Sequence, residues 1–134
     1  MKQILDIDFI SDIACPWCAV GLYSLEKALE AFPGIKVAFH IHPYELAPSV
    51  GPKGDNIFEH IEKKYDMPAV EVRQGLDEIT KRGAEVGFCF NFNDDSRTWN
   101  TFDAHRIIHW AQGLGKAVEM KKSLFTAYFT HNLN

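Results

Sequence analysis

Two runs of alternating apolar and polar side chains, with a helical pattern between them, constrain this chain most. In the first, Leu5, Ile7 and Phe9 alternate with Asp6 and Asp8; the second runs from Ile35 to His42. Period two marks a strand with one buried face, whereas Val20, Tyr23, Leu25, Leu29 and Phe32 recur at roughly helical spacing in between. Pro33-Gly34 stops that helix. Strand, helix, strand is a βαβ unit, whose strands should lie parallel with a right-handed crossover. Cys15-Pro16-Trp17-Cys18 then falls at the carboxyl end of the first strand, where open α/β sheets place their sites.

Beyond Pro43 the pattern becomes helical. Two prolines and two glycines between Ala47 and Gly54 read as a connection. Asp55 is expected to cap a short helix through Tyr65, and Asp66 a longer one ending at Gly87, with Ala69, Val72, Leu76, Ile79, Gly83 and Val86 on its apolar side. An aromatic loop follows from Cys89 to Trp99. Asn100 or Thr101 caps a helix carrying Phe102, His105, Ile108 and Ala111, and a last helix carries Val118, Leu124, Phe125, Tyr128 and Phe129. The sum is two strands and five helices. Two parallel strands alone lack neighbours and cover. They are expected to pair with another chain, a homodimer included, or to be completed by sequence beyond Asn134, and the second reading is favoured.

The totals exclude several classes of function. Fourteen basic against eighteen acidic residues, a net charge of -4, give no nucleic-acid footprint. No apolar stretch is long enough for a membrane span. Met1-Lys2-Gln3 leads straight into the first strand without the features of a secretory signal, so the chain is expected to be cytoplasmic. In that setting three cysteines are no disulfide framework, and a CxxC beside a βα pattern reads as catalytic or metal-binding.

The spacing of Cys15 and Cys18 has a direct use. One helical turn brings both sulfurs to the same side within bonding distance, and the unpaired N–H groups of the helix start favour a thiolate at Cys15. Pro16 contributes no N–H, and Trp17 shields or presents the site. Cys15 is therefore expected to attack or be attacked, and Cys18 to resolve. Zinc binding and a purely structural turn remain alternatives; a zinc site would need more ligands, and Cys89 has no near partner in sequence. Cys89, among phenylalanines, is expected to be buried and inert. His40 and His42 share a strand face and either reach the dithiol or lie satisfied beneath a helix. His105 and His109 have the i, i+4 spacing of metal ligands but lack the usual acidic third ligand, and are read as structural. Phe88, Phe90, Phe92, Trp99 and Phe102 read as core, with part exposed if the protein binds peptides. No cofactor and no metal are expected.

The segment Phe9 to Cys18, with Val20-Gly21 and Leu25 to Leu29, resembles the DsbA-like thioredoxin-fold oxidoreductases, specifically their cytosolic FrnE-like branch. Asn100 to Arg106 and Leu124 to Phe129 are similar to the helical insertion of that branch. The resemblance implies an α/β thioredoxin-like βαβ start, residues 1–46, followed by a mostly α-helical insertion, residues 47–134. It also implies thiol-disulfide exchange on protein or small-thiol substrates, with Cys15 as nucleophile and Cys18 as its partner. Family members continue with a cis-proline loop, a β-hairpin and a final helix; no proline after Pro68 occupies that place here, so the chain is expected to be truncated. A glutathione-dependent isomerase or transferase of the kappa type is a second enzymatic reading, although a serine usually replaces the first cysteine there. A zinc-binding or interaction module is the non-enzymatic one.

Overall fold

The computed structural model describes residues 3–134; Met1 and Lys2, where the signal-peptide reading begins, lie outside the described residues. Strand β1 (Gln3–Ser11) and strand β2 (Ile35–Pro43) pair in parallel, in register from Gln3 opposite Ile35 to Ser11 opposite Pro43. Helix α1 (Pro16–Glu30) connects them. The βαβ unit is thus the one the alternation predicts. Its buried face is graded: Leu5 is exposed, Ile7 and Phe9 are half-buried, and Ser11 to Ile13 are buried. The cover thickens toward the end of β1 that carries the cysteines.

The remainder is helical, with one small sheet that no alternation announces. Strand β3 (Asp55–Asn56) pairs antiparallel with strand β4 (Arg97–Thr98), too short a ladder to show a period. Helices α2 (Ile57–Tyr65), α3 (Ala69–Glu85), α4 (Phe102–Gly113) and α5 (Ala117–Phe125) follow, and α5 runs on into a π-helical turn, Thr126–Thr130. The expected number of helices is found, but two caps differ. Asn56, not Asp55, caps α2, its Oδ1 accepting from the N–H groups of Phe58 and Glu59 at 3.0 and 3.3 Å. Asp55 is engaged in β3 instead. Asp66 does not start α3: it ends α2 in the left-handed region, at φ 50, and Pro68 occupies the cap of α3. Proline biases the residue before it away from helix, so the chain must turn before α3 begins.

A single core joins the two parts. Ala19, Val20 and Leu22 of α1 are buried in the same cluster as Val72, Leu76 and Ile79 of α3, with Ile108, Phe125 and Phe129. Phe88 stacks edge-on against Phe90, and both pack around Phe129, with ring centroids 4.7 to 6.5 Å apart. Phe92 and Trp99 are partly buried against this core, whereas Phe102 projects outward from α4. The aromatic cluster is core for four of its five members. The helical segment therefore covers the face of α1 that carries Ala19, Val20 and Leu22, with α3 packed against α1.

Candidate active site

The CxxC lies where β1 hands over to α1. The N–H of Cys15 reaches the carbonyl of Asp12 at 3.3 Å, closing a turn after the strand. Cys15 is the N-cap of α1, with extended backbone at φ -95 and ψ 108, and Pro16 is the first helical residue. Pro has no N–H and a φ suited to that position, so it starts the helix without adding an orphan donor. The Cys18 N–H points back onto Cys15 Sγ at 3.3 Å, as an N-cap side chain requires. Both sulfurs are half-buried and Trp17, 51% exposed, stands outside them.

The two thiols ionise as a pair. Hydrogen bonding with the Cys15 side chain draws Cys18 down to about 7; burial opposes this, and a backbone hydrogen bond at Asp12 and the Lys121 ammonium add to it. The same thiol-to-thiol bond pushes Cys15 well above the ordinary thiol range, with burial and the charge of Cys18 acting in the same direction. The helix-start argument alone favours charge on Cys15, and the Cys18 N–H on its sulfur does act that way. The larger effect is mutual: two sulfurs one turn apart share one proton, so the first ionisation is easy and the second hard. The lowered first step belongs to the dithiol as a unit.

Asp12, 1% exposed, lies under the cysteine turn and organises it. Its Oδ2 accepts the Leu46 N–H at 2.8 Å, and its Oδ1 lies 3.0 Å from His105 Nε2. That nitrogen also faces the Tyr44 carbonyl at 3.1 Å. Two acceptors at one ring nitrogen make Nε2 the protonated one, so His105 donates. Burial works to raise the Asp12 carboxyl, but hydrogen bonds from His105, the Leu46 N–H and Thr101 outweigh it and hold it below its ordinary value. One carboxylate thereby ties the end of β1, the segment after β2 and α4 into a single support.

Beside the cysteines runs an apolar groove of about 370 Å³ between the start of α1 and helices α2 and α3. Cys15, Pro16 and Trp17 form one end; Ile61, Met67 and Leu76 are among the residues of its wall. The cysteine end of α1 therefore opens onto apolar surface.

Of the other candidates, His105 touches this site through Asp12, whereas Cys89, His40, His42 and His109 do not reach it. Cys89 is exposed, against the expectation of a buried thiol: the phenylalanines on either side of it, Phe88 and Phe90, turn inward, and alternation along the extended segment turns Cys89 out. His40 and His42 lie on the outer face of the sheet, at 3.1 and 2.7 Å from Asp6 and Asp8, and reach no cysteine. His109 is exposed while His105 is turned onto Asp12, so the i, i+4 pair does not converge. Among the described residues no three His, Cys, Asp or Glu side chains gather as a metal site.

Sequence reasoning missed the roles of Asp12 and Lys121. Lys121 is 0% exposed, and its sequence signal was position: it falls four residues from Ala117 and four from Phe125, on the buried stripe of α5. Ser11-Asp12 reads in sequence only as turn or cap chemistry before the cysteines, which the Asp12 carbonyl does supply to the Cys15 N–H; the role of its carboxylate carried no signal, since its partners lie 34 and 93 residues away.

The Bacillus subtilis protein YwbO is 27% identical over 128 residues, which cover 96% of this chain and 58% of that protein. A probable DsbA oxidoreductase from Streptomyces coelicolor, known from its crystal structure, superposes with a TM-score of 0.82 at 30% identity, over 93% of this chain and 54% of that one. The chain thus spans a little over half the length of these relatives. The model of the DsbA-like thioredoxin domain matches residues 6–134, nearly the whole length. A βαβ start with its CxxC at the helix cap, carried through to the end of α5 by one continuous match, places the chain in the DsbA-like thioredoxin domain family.

Proposed function

We propose that this chain is a thiol-disulfide oxidoreductase that uses Cys15 and Cys18 to exchange disulfides with protein or small-thiol substrates. The observation that carries the reading is the placement of the pair: Cys15 caps α1 with the Cys18 N–H on its sulfur, beside open apolar surface. In the oxidising direction a substrate thiolate attacks Cys15 Sγ of the disulfide, and the bonding electrons leave with Cys18 as a thiolate. A second substrate thiolate then attacks the substrate sulfur of the mixed disulfide and releases Cys15. Two electrons pass to the dithiol and the substrate keeps the new disulfide. The leaving sulfur is helped by the lowered first ionisation of the pair, because a lower leaving-group pKa departs faster.

Cys15→Ser tests the proposal in insulin reduction and in oxidation of a dithiol peptide. Loss of both activities is expected, with Cys18→Ser accumulating mixed disulfide at Cys15. Unchanged activity of Cys15→Ser would sink the reading, and glutathione-dependent turnover surviving Cys18→Ser would replace it with kappa-type chemistry.

A further inference from the structure

Lys121 is an expensive residue to keep where it is. Its side chain is 0% exposed and its ammonium makes no hydrogen bond to the protein among the described residues. An isosteric methionine would fill the same space without the desolvation of a charge. Its neighbour Lys122 shows the ordinary alternative, turning outward to meet Glu26 of α1 at 2.8 Å. Lys121 instead lies against the rings of Phe125 and Phe9, its Nζ 5.4 and 6.0 Å from their centroids. The charges that act on it are those of Cys18, Asp12 and Cys15.

Asp12 is already engaged. One oxygen accepts from His105 and the other from Leu46, and the Lys121 ammonium makes no hydrogen bond to either. The sulfurs are the remaining groups nearby that can become negative. We infer that Lys121 is the charge-compensating partner of the Cys15–Cys18 dithiol, supplied by α5, which stabilises the thiolate of the reduced pair and thereby favours the reduced state. This rests on the dithiol assigned above as the redox pair.

The consequence follows from a thermodynamic cycle. A disulfide carries no charge, so oxidation leaves the ammonium with Asp12 alone, whereas reduction supplies a thiolate in a medium that screens poorly. Whatever factor the ammonium gives the thiolate also appears in the dithiol-disulfide equilibrium when the reduced pair is singly ionised. By reciprocity the thiolate must hold the ammonium protonated by the same factor. Burial pulls the Lys121 ammonium down to about 8, opposed by Cys18, Asp12 and Cys15, so it is charged at neutral pH. The charged and titratable groups of this region are Asp12 below the turn, His105 of α4 behind it, Cys15 and Cys18 of α1, and the Lys122–Glu26 pair toward solvent.

Lys121→Met tests the inference without substrate turnover, so failure of disulfide exchange by the parent chain would be a separate result. The 240 nm thiolate absorbance is titrated against pH, and the dithiol is equilibrated with glutathione buffers. The variant is expected to show an about tenfold smaller thiolate fraction below its midpoint. At about pH 7.5, half a unit above the first ionisation near 7, that loss shifts the equilibrium with glutathione about threefold toward the disulfide, about 15 mV more reducing. A folded Lys121→Met whose titration lies within twofold of the parent overturns the assignment. A second measurement needs no substitution: the Lys121 side chain is titrated by NMR in the oxidised and in the reduced parent chain. A higher midpoint in the reduced chain is expected, and equal midpoints overturn the inference even where the variant does not fold.

Discussion

Replacing Asp12 by alanine removes one buried carboxylate and, beside its link to Thr101, breaks the two contacts to Leu46 and His105 that hold three segments together. The Leu46 N–H at 2.8 Å loses its acceptor, and His105 Nε2 keeps only the Tyr44 carbonyl. Hydrogen bonds to a charged group contribute about 1.5–3 kcal/mol each, and relief from burying a carboxylate offsets part of the loss. A net destabilisation of about 3 kcal/mol follows. For a chain of 134 residues, an unfolding entropy of about 2.1 cal/mol/K per residue sums to about 0.28 kcal/mol/K. The melting temperature should therefore fall by about 11 °C. Asp12→Asn keeps the shape and one acceptor, and should lose about half as much. The assay is thermal unfolding followed by circular dichroism, with the dithiol reduced. The folded carboxyl is held below its ordinary value of 3.8, so its contribution is fully present above that value and is lost as pH falls through the lowered one. The gap between parent and Asp12→Ala should be constant from pH 5 upward as far as Asp12 sets it, and narrow below about 3.8. A melting temperature within 3 °C of the parent at neutral pH would refute the reasoning, because it would mean that the ~3 kcal/mol of supporting contacts is absent.

Two further predictions concern packing and exposure. A Cβ on Gly83 would meet the Phe90 ring at 2.5 and 2.6 Å and the Phe88 carbonyl at 2.8 Å. Gly83→Ala should therefore lose about 1–3 kcal/mol in denaturant unfolding, despite the better helix propensity of alanine; a gain in stability would show that α3 and the 88–90 segment can separate freely. With Cys15 and Cys18 oxidised, Cys89 should react readily with an aromatic disulfide reagent in the native chain. Cys89→Ala should abolish that reaction and leave the Cys15–Cys18 equilibrium unchanged; slow labelling, at the rate of global unfolding, would contradict its exposure.

How far the sequence reads depends on the range of the interactions involved. Alternation at Leu5 to Phe9 and at Ile35 to His42, with a helical period between, is enough for the βαβ unit, because side-chain direction along an element is a local property of the backbone. The placement of Cys15-Pro16-Trp17-Cys18 follows from the same pattern: Pro16 can begin a helix, and a residue three positions after its cap returns to the cap's side. The caps were less legible. Asp55 and Asp66 are good capping residues by type, but pairing with Arg97–Thr98 and the restriction imposed before Pro68 decided their conformations.

Tertiary structure alone decided what surrounds the sulfurs. Asp12 meets Leu46 and His105 only because β1, the segment after β2 and α4 converge there, and the burial and the Lys121 and Asp12 charges that modify the mutual ionisation of the two sulfurs come with the folded chain. Cys89 was misread because a phenylalanine-rich neighbourhood in sequence says nothing about which side of an extended segment faces the core. Lys121 is the clearest case. Its spacing puts it on the buried stripe of α5, but only the folded chain brings that stripe to Phe9, Asp12 and the cysteines, because the energy of a buried charge is set by groups distant in sequence and near in space.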